Sequence, residues 1–282
     1  MLDYLFNPFD RLLKSHQPKN LLVVWNRGMG DVPLGLYALV KRVRERCPGA
    51  EITFITRPDL AEVFSMLDSV KVIVEKGWKR GEPASLSPEV TASFDLVLEG
   101  VNPTKWFRWQ LGKVIPELRW EDKWDSLADK FPLKKGIPYL GAHLSTETGG
   151  FYRYEKNWPL PYWEEVIQKS PHPVILFGHK KEGTFPNTID LRGETSLIEM
   201  LSIIKNRCRY LLAPDSGVLS VVYYVKSHFP LKIISLWADP KQGILRQKVS
   251  SPNRNLEHIP LVGKKGDVSK IMPQEVREAL FL

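Results

Sequence analysis

Leu21-Leu22-Val23-Val24-Trp25-Asn26-Arg27-Gly28-Met29-Gly30-Asp31-Val32-Pro33 decides the fold. Its first five residues are an unbroken apolar run, the pattern of a strand covered on both faces. Two glycines and an acid follow, and then a helical pattern over residues 36–46. Strand, glycine turn and helix make the first half of a βαβ unit. Asp31 then stands near the carboxyl end of a parallel strand, where open α/β sheets bind ligands. A carboxylate between turn glycines and a helix N-terminus serves either as a catalytic base or as a helix cap.

The same alternation continues outward. Residues 51–56 alternate into a second strand, 58–66 form a short helix, and 71–74 and 94–98 are further strands. Lys41, Arg42, Arg44 and Arg46 predict an exposed basic face on the first helix. Residues 131–138 hold two prolines, a glycine and two lysines, which reads as a linker. This places a boundary between an N-terminal domain over 1–135 and a C-terminal one over 136–282. The pattern then restarts, with strands at 139–144, 174–177, 210–213 and 233–237 and helices at 161–169, 196–205 and 218–225. Thr195 or Ser196 caps the second of these helices, with Glu199 in the capping-box position. The fold class is α/β: two successive, mostly parallel sheets, with a cleft between them as the simplest architecture.

Composition narrows the partners without choosing one. The chain has 282 residues, 43% hydrophobic and 26% charged, which supports a packed core rather than disorder. Its net charge of +8 suits nucleic acid, an anionic lipid surface or a phosphorylated small molecule. Cys47 and Cys208 match no zinc spacing and read as buried thiols; no metal site is expected. No apolar run reaches the roughly 20 residues of a membrane span, and the first residues lack a signal-peptide pattern. The aromatic segment 1–15, ending in Arg11 and Lys14, packs on the domain or lies shallowly on a membrane surface. Between residues 102 and 133, Trp106, Phe107, Trp109, Trp120 and Trp124 interleave with Lys105, Arg108, Lys113, Arg119 and Lys123. Such a stretch is either amphipathic core with solvated charges or a stacking platform for bases or sugars.

Four loops at predicted strand ends carry chemistry. The first holds Gly28, Gly30 and Asp31. The second runs from His143 through Ser145, Thr146 and Gly149 to Lys156-Asn157-Trp158-Pro159. The third is Gly178-His179-Lys180-Lys181-Glu182. The fourth, Asp215-Ser216-Gly217, would offer backbone N–H groups at a helix N-terminus to a pyrophosphate, or it is simply a capped helix. Lys156 would neutralise a diphosphate leaving group or is merely solvated. Asp239-Pro240 closes a turn. A dinucleotide fingerprint, a P-loop and a nucleophile elbow are all absent from the sequence.

Taken in order, these segments resemble the bacterial heptosyltransferases, the ADP-heptose:lipopolysaccharide transferases of glycosyltransferase family 9. The likeness rests on Met29-Gly30-Asp31-Val32, on residues 51–58, and on Lys156-Asn157-Trp158-Pro159 with Tyr162-Trp163. Asp190-Leu191-Arg192-Gly193-Glu194-Thr195-Ser196-Leu197 and Asp215-Ser216-Gly217 complete it, with Asp239-Pro240 following. It covers most of the chain except 1–18 and about 75–135. The resemblance implies a GT-B fold of two Rossmann-like domains and an inverting, metal-independent glycosyl transfer without a cofactor. It makes Asp31 the general base and Lys156, with Ser145 or Thr146, the holder of the phosphates. Glu182 falls at the ribose, Thr195 and Ser196 at the adenine, Asp215 at the sugar hydroxyls, and Ser216 and Gly217 at the pyrophosphate. Gly30, Asp31, Lys105 and Arg108 are the candidates for the acceptor, a lipopolysaccharide-type glycan at the inner membrane's cytoplasmic face. The position where the family usually has a histidine, three after the glycine of Asp-Ser-Gly, is Ser220.

Two other functions compete. One is a non-catalytic module for nucleotide-sugars or anionic glycans, suggested by Ser220. The other is nucleic-acid binding, suggested by the charge and the tryptophans. It ranks last, because 40 Lys+Arg against 32 Asp+Glu is a modest excess spread along the chain.

Overall fold

The computed structural model describes residues 7–84, 86–146 and 155–281, without the side chains of residues 104 and 105. The chain forms two compact units, one of Met1–Arg119 with Gln247–Ser250, the other of Trp120–Arg246 with Ser251–Leu282.

In the first unit, helix α1 (Pro8–His16) precedes strand β1 (Asn20–Trp25). Helix α2 (Tyr37–Arg46) leads to β2 (Glu51–Thr56), then β3 (Val70–Val74) and β4 (Leu96–Leu98). The sheet order is β3-β2-β1-β4, and every neighbouring pair is parallel. The apolar run of β1 does what its composition dictates: Leu21, Leu22 and Val23 have no exposed surface. Burial of such side chains stabilises by about 1.5–3 kcal/mol each. The aromatic N-terminal segment packs inward where it is described. Phe9 is fully buried, stacks on Trp106 at 5.9 Å and meets Phe107 edge-on at 5.7 Å. Residues 1–6 of that segment lie outside the described residues.

Two expectations are corrected here. The face of α2 is not uniformly exposed: Arg42 is 1% exposed. Its guanidinium stacks 3.9 Å from the Trp109 ring and pairs with buried Asp10 at 3.5 Å. A buried cation needs such partners, and neither is near Arg42 in the sequence. The helical path also begins earlier than residue 36, in a π turn over Val32–Leu36. Pro33 suits that first turn because it has no N–H to satisfy. The Leu34 carbonyl accepts from Gln110 Nε2 at 2.5 Å and from Gln247 Nε2 at 3.0 Å. Gly35 is required by packing, since a β-carbon there would stand 2.4 Å from Pro103 Cβ.

The second unit holds β5 (Tyr139–His143), α3 (Leu160–Gln168), β6 (Val174–Phe177) and β7 (Thr188–Asp190). It continues with α4 (Leu197–Arg207), β8 (Cys208–Pro214), α5 (Gly217–Tyr224), β9 (Leu231–Trp237), β10 (Leu256–Val262) and α6 (Pro273–Phe281). The all-parallel order is β7-β6-β5-β8-β9-β10. Counted from its first strand this is 3-2-1-4-5-6, the Rossmann order. One face of the sheet packs Leu140, Ala142, Leu176, Leu212 and Ile234 against Trp158, Trp163 and Val276.

The boundary between the two compact units falls at Arg119/Trp120. The reason is the 3-10 segment Asp122–Lys130, which is bonded to α4. Ala128 N–H donates to Ser202 Oγ at 3.0 Å, and Asp125 takes Lys205 Nζ at 2.6 Å and Asn206 Nδ2 at 3.1 Å. Trp124 is buried and meets Trp120 edge-on, and Trp120 Nε1 donates to Asp125. Of this stretch Phe107 and Trp124 are buried, while Trp106, Trp109 and Trp120 are half-buried and packed on neighbouring side chains, the pattern of the amphipathic one of its two readings. Cys47 and Cys208 are free, buried thiols. Among the described residues no helix is long and apolar enough to cross a membrane.

Candidate active site

In each sheet the strand order reverses once at a crevice: between β1 and β4 in the first unit, and between β5 and β8 in the second. Ligands of open α/β sheets bind at the carboxyl ends of the strands beside such a reversal. Three of the four candidate loops leave those strands directly.

The loop after β1 is a tight turn. Gly28 O accepts from Asp31 N at 3.3 Å, Met29 O from Val32 N at 3.0 Å, and Gly30 O from Leu34 N at 3.1 Å. Trp25 Nε1 also donates to Gly28 O at 3.3 Å. Asp31 precedes the π turn, yet its side chain makes no capping bond to it. The carboxylate is half-buried and lies over Gly28: a β-carbon on Gly28 would sit 3.0 Å from Asp31 Oδ2. Of the two readings of this acid, the helix cap is the one the geometry disfavours. Arg108 is exposed on the short turn Arg108–Gln110, and the Lys105 side chain lies outside the described residues.

In the second unit Lys156 and Asp215 meet. Lys156 Nζ stands 2.6 Å from Asp215 Oδ2, and each side chain is 8% exposed. Lys156 is thus not the solvated cation of one reading. Burial pushes the Asp215 carboxyl above its usual range, Lys156 pulls against that, and neighbouring Asp239 adds to the rise. Gly243, at φ +49°, makes room for the pair: a β-carbon there would stand 2.6 Å from Asp215 Oδ1 and 2.8 Å from the Trp237 ring. The loop carrying Lys156 is closed at its neck. Asn157 Oδ1 accepts from Thr146 N at 2.8 Å, and Asn157 Nδ2 donates to Thr146 O at 3.2 Å. Gly149 lies outside the described residues.

Ser216 begins α5, and its Oγ accepts from Leu219 N at 3.1 Å. The hydroxyl is therefore a cap, while Gly217 opens the first turn, whose leading amides have no intrahelical acceptor by geometry. Ser220 Oγ donates to Ser216 O at 3.1 Å and is buried, so this position braces the helix start. Ser145 and Glu182 line one pocket with Asn157, Trp158, Lys180 and Arg192. Arg192 is 3% exposed and holds the loop that carries Glu182. It donates to the carbonyls of Glu182 and Gly183 and grips Asp190 through Nε at 2.9 Å and Nη2 at 2.7 Å. Ser196 is the cap of α4 in a full capping box with Glu199, and Thr195 is half-buried beside it. Asp239 closes its turn by accepting from Lys241 N and Gln242 Nε2.

Two histidines, one buried and one half-buried, make the fold sensitive to acid. His143, at the end of β5, is held neutral by burial and by nearby His179, its pKa lowered to about 4. His258 is also lowered to about 4, by burial. Trp237 Nε1 donates to Ser235 Oγ at 2.6 Å, and Ser235 Oγ lies 2.7 Å from His258 Nε2. The chain is complete when neutral Nε2 accepts the serine proton. Between pH 6.5 and 4 the unfolded chain binds more protons than the native one, so stability is full at neutral pH and falls as pH drops through that window. A shift of this size is worth up to about 3 kcal/mol per histidine. Melting curves from pH 7 to 4.5 are expected to show the loss, and His258→Gln to flatten part of it.

Three comparisons bear on this arrangement. No protein-family model matches the chain. No curated protein matches it by sequence. Solved structures do match. ADP-heptose LPS heptosyltransferase II of E. coli superposes with a TM-score of 0.63 at 17% identity, over 92% of this chain and 97% of that one. The fold is that of the heptosyltransferases. A glycosyl transferase family 9 structure from Veillonella parvula gives a TM-score of 0.59 at 15% identity, covering 93% of this chain and 96% of its own. E. coli heptosyltransferase WaaC, with ADP-2-deoxy-2-fluoro heptose, gives 0.51 at 14% identity, covering 92% and 98%. Within this fold Asn26, Asn157, Arg192 and Gly243 had no assigned role in the sequence. Only Asn157 and Arg192 carried a signal, through their places in the quoted motifs.

Proposed function

We propose that the chain is an inverting, metal-independent glycosyltransferase that moves a sugar from a nucleotide diphosphate to a lipopolysaccharide-core-type acceptor. The donor of choice is ADP-heptose. One observation carries the reading: the reversal crevice of each sheet holds one half of the required chemistry. The first has a carboxylate that is not spent as a cap, and the second has a buried cation beside a helix N-terminus. The heptosyltransferase neighbours, one of them with ADP and one with an ADP-heptose analogue, support the donor class.

In this reading Asp31 takes the proton of the acceptor hydroxyl as its oxygen attacks the anomeric carbon. The bond from that carbon to the diphosphate breaks, and its electron pair leaves with the phosphate. Lys156, with the Gly217 amide and with Ser145 or Thr146, stabilises the negative charge that develops. Asp215 holds sugar hydroxyls, Glu182 the ribose, and backbone at Thr195 and Ser196 the adenine. Gly30, Lys105 and Arg108 serve the acceptor. The enzyme works at the cytoplasmic face of the inner membrane as a peripheral protein. Nucleic acid ranks last among the partners, because the excess of 40 Lys+Arg over 32 Asp+Glu is modest.

A thermal-shift screen of ADP-, UDP- and GDP-linked sugars tests the donor. At one hundred times its Kd a ligand of the native state adds about 2.7 kcal/mol. ADP-heptose is expected to raise Tm by several degrees and the uridine and guanosine sugars not to. A second reading, binding without turnover, is favoured by Ser220 in place of the usual histidine. It predicts the same shift with no sugar transferred to lipopolysaccharide core.

A further inference from the structure

Asn26, the residue after β1, is 8% exposed and bonded through both its side-chain amide nitrogen and its main-chain carbonyl. Its Nδ2 donates to the carbonyls of Lys79 at 3.2 Å and Glu82 at 2.5 Å. Its own carbonyl accepts from Gly81 N at 3.4 Å and from Arg57 Nη1 at 2.8 Å. Arg57 is in turn fixed by two bonds of 2.8 Å to Asp59. The segment 79–82, which follows β3, is thereby tied to the root of the glycine turn. It is also closed on itself: Lys79 N donates to the Glu82 carboxylate at 2.9 Å, and Trp78 Nε1 to the Glu82 and Pro83 carbonyls at 3.1 and 3.3 Å.

This bracket sets Arg80 over Gly28. The point where a β-carbon on Gly28 would stand is 3.0 Å from Asp31 Oδ2 and 3.9 Å from Arg80 Nη2, so the two charged groups are no more than about 7 Å apart. Glycine at position 28 leaves the space between them open. A guanidinium at that range attracts the carboxylate and biases which way it points. We propose that Arg80 is a positioning residue for Asp31 and that the bracketed segment 79–82 belongs to the acceptor-side site. The inference rests on the reading of Asp31 as the base.

The test uses the full chain. The Nε–Hε resonance of Arg80, assigned by its loss in Arg80→Gln, shifts in Asp31→Asn, while that of exposed Arg108 stays. With ADP-heptose and lipopolysaccharide core, Arg80→Gln lowers kcat about tenfold at unchanged donor KM, as expected for a misaimed base. Arg80→Lys restores most of the loss, and Arg80→Gln adds no further loss in the Asp31→Asn background. An Arg80 resonance indifferent to Asp31→Asn, or an equal loss in both backgrounds, overturns the inference. Full turnover by Asp31→Asn itself overturns the assignment of the base instead, and the resonance shift still decides whether the two side chains are paired.

Discussion

Asp31→Asn is expected to lower kcat by two to four orders of magnitude, the range that a positioned general base contributes, about 10²–10⁴-fold. Asparagine keeps the shape of the side chain but cannot accept the hydroxyl proton. The variant should stay folded, because the side chain is not the cap of the turn that follows and is only half-buried. ADP-heptose should still raise the melting temperature, since the groups proposed to hold it belong to the second unit. Measured together, kcat and the donor-induced Tm shift separate a missing base from a damaged fold. Near-parental turnover would remove Asp31 from the chemistry.

Lys156→Met is expected to be the most destabilising single change among the residues proposed to hold the donor. It leaves Asp215 buried without its 2.6 Å cation, and breaking a buried pair by removing one partner costs about 3–5 kcal/mol. The pH dependence should identify the cause. Burial already pushes the Asp215 carboxyl upward, and losing Lys156 removes the main force opposing that rise. A carboxyl raised in the native state binds more protons there than in the unfolded chain, so its penalty is absent well below the unfolded value and grows as pH climbs through it. The gap between variant and parent should thus widen from about pH 4 upward. Urea unfolding at several pH values checks this. A gap that does not change with pH would mean the loss is packing rather than charge. Asp215→Asn with Lys156→Met should recover part of the loss, because the buried charge is then gone.

Much of the fold was legible because its central strands are continuous apolar runs. Residues 21–25 and 174–177 announce buried parallel strands by composition alone, and 233–237 does so with a single serine, Ser235, inside it. The edge strands β7 and β10 did not: Thr188–Asp190 is short, and Leu256–Val262 includes His258 and Pro260 on a half-exposed edge. The capping box at Ser196 and Glu199 was readable because its partners are three residues apart. Partners far along the chain were not readable. Lys156 could pass for a solvated cation because nothing nearby predicts Asp215. Arg42 could pass for surface because Asp10 and Trp109 are distant. The tie between residues 122–130 and the second unit was equally unreadable, since the bonds from Asp125 and Ala128 to Ser202, Lys205 and Asn206 exist only in three dimensions.

The reciprocal amide bonds between Thr146 and Asn157 have an engineering consequence. An exchange at Asn157 therefore touches both bonds at once: aspartate would keep the acceptor for the Thr146 amide but would set an oxygen against the Thr146 carbonyl, so any redesigned side chain at this position has to carry a donor and an acceptor together.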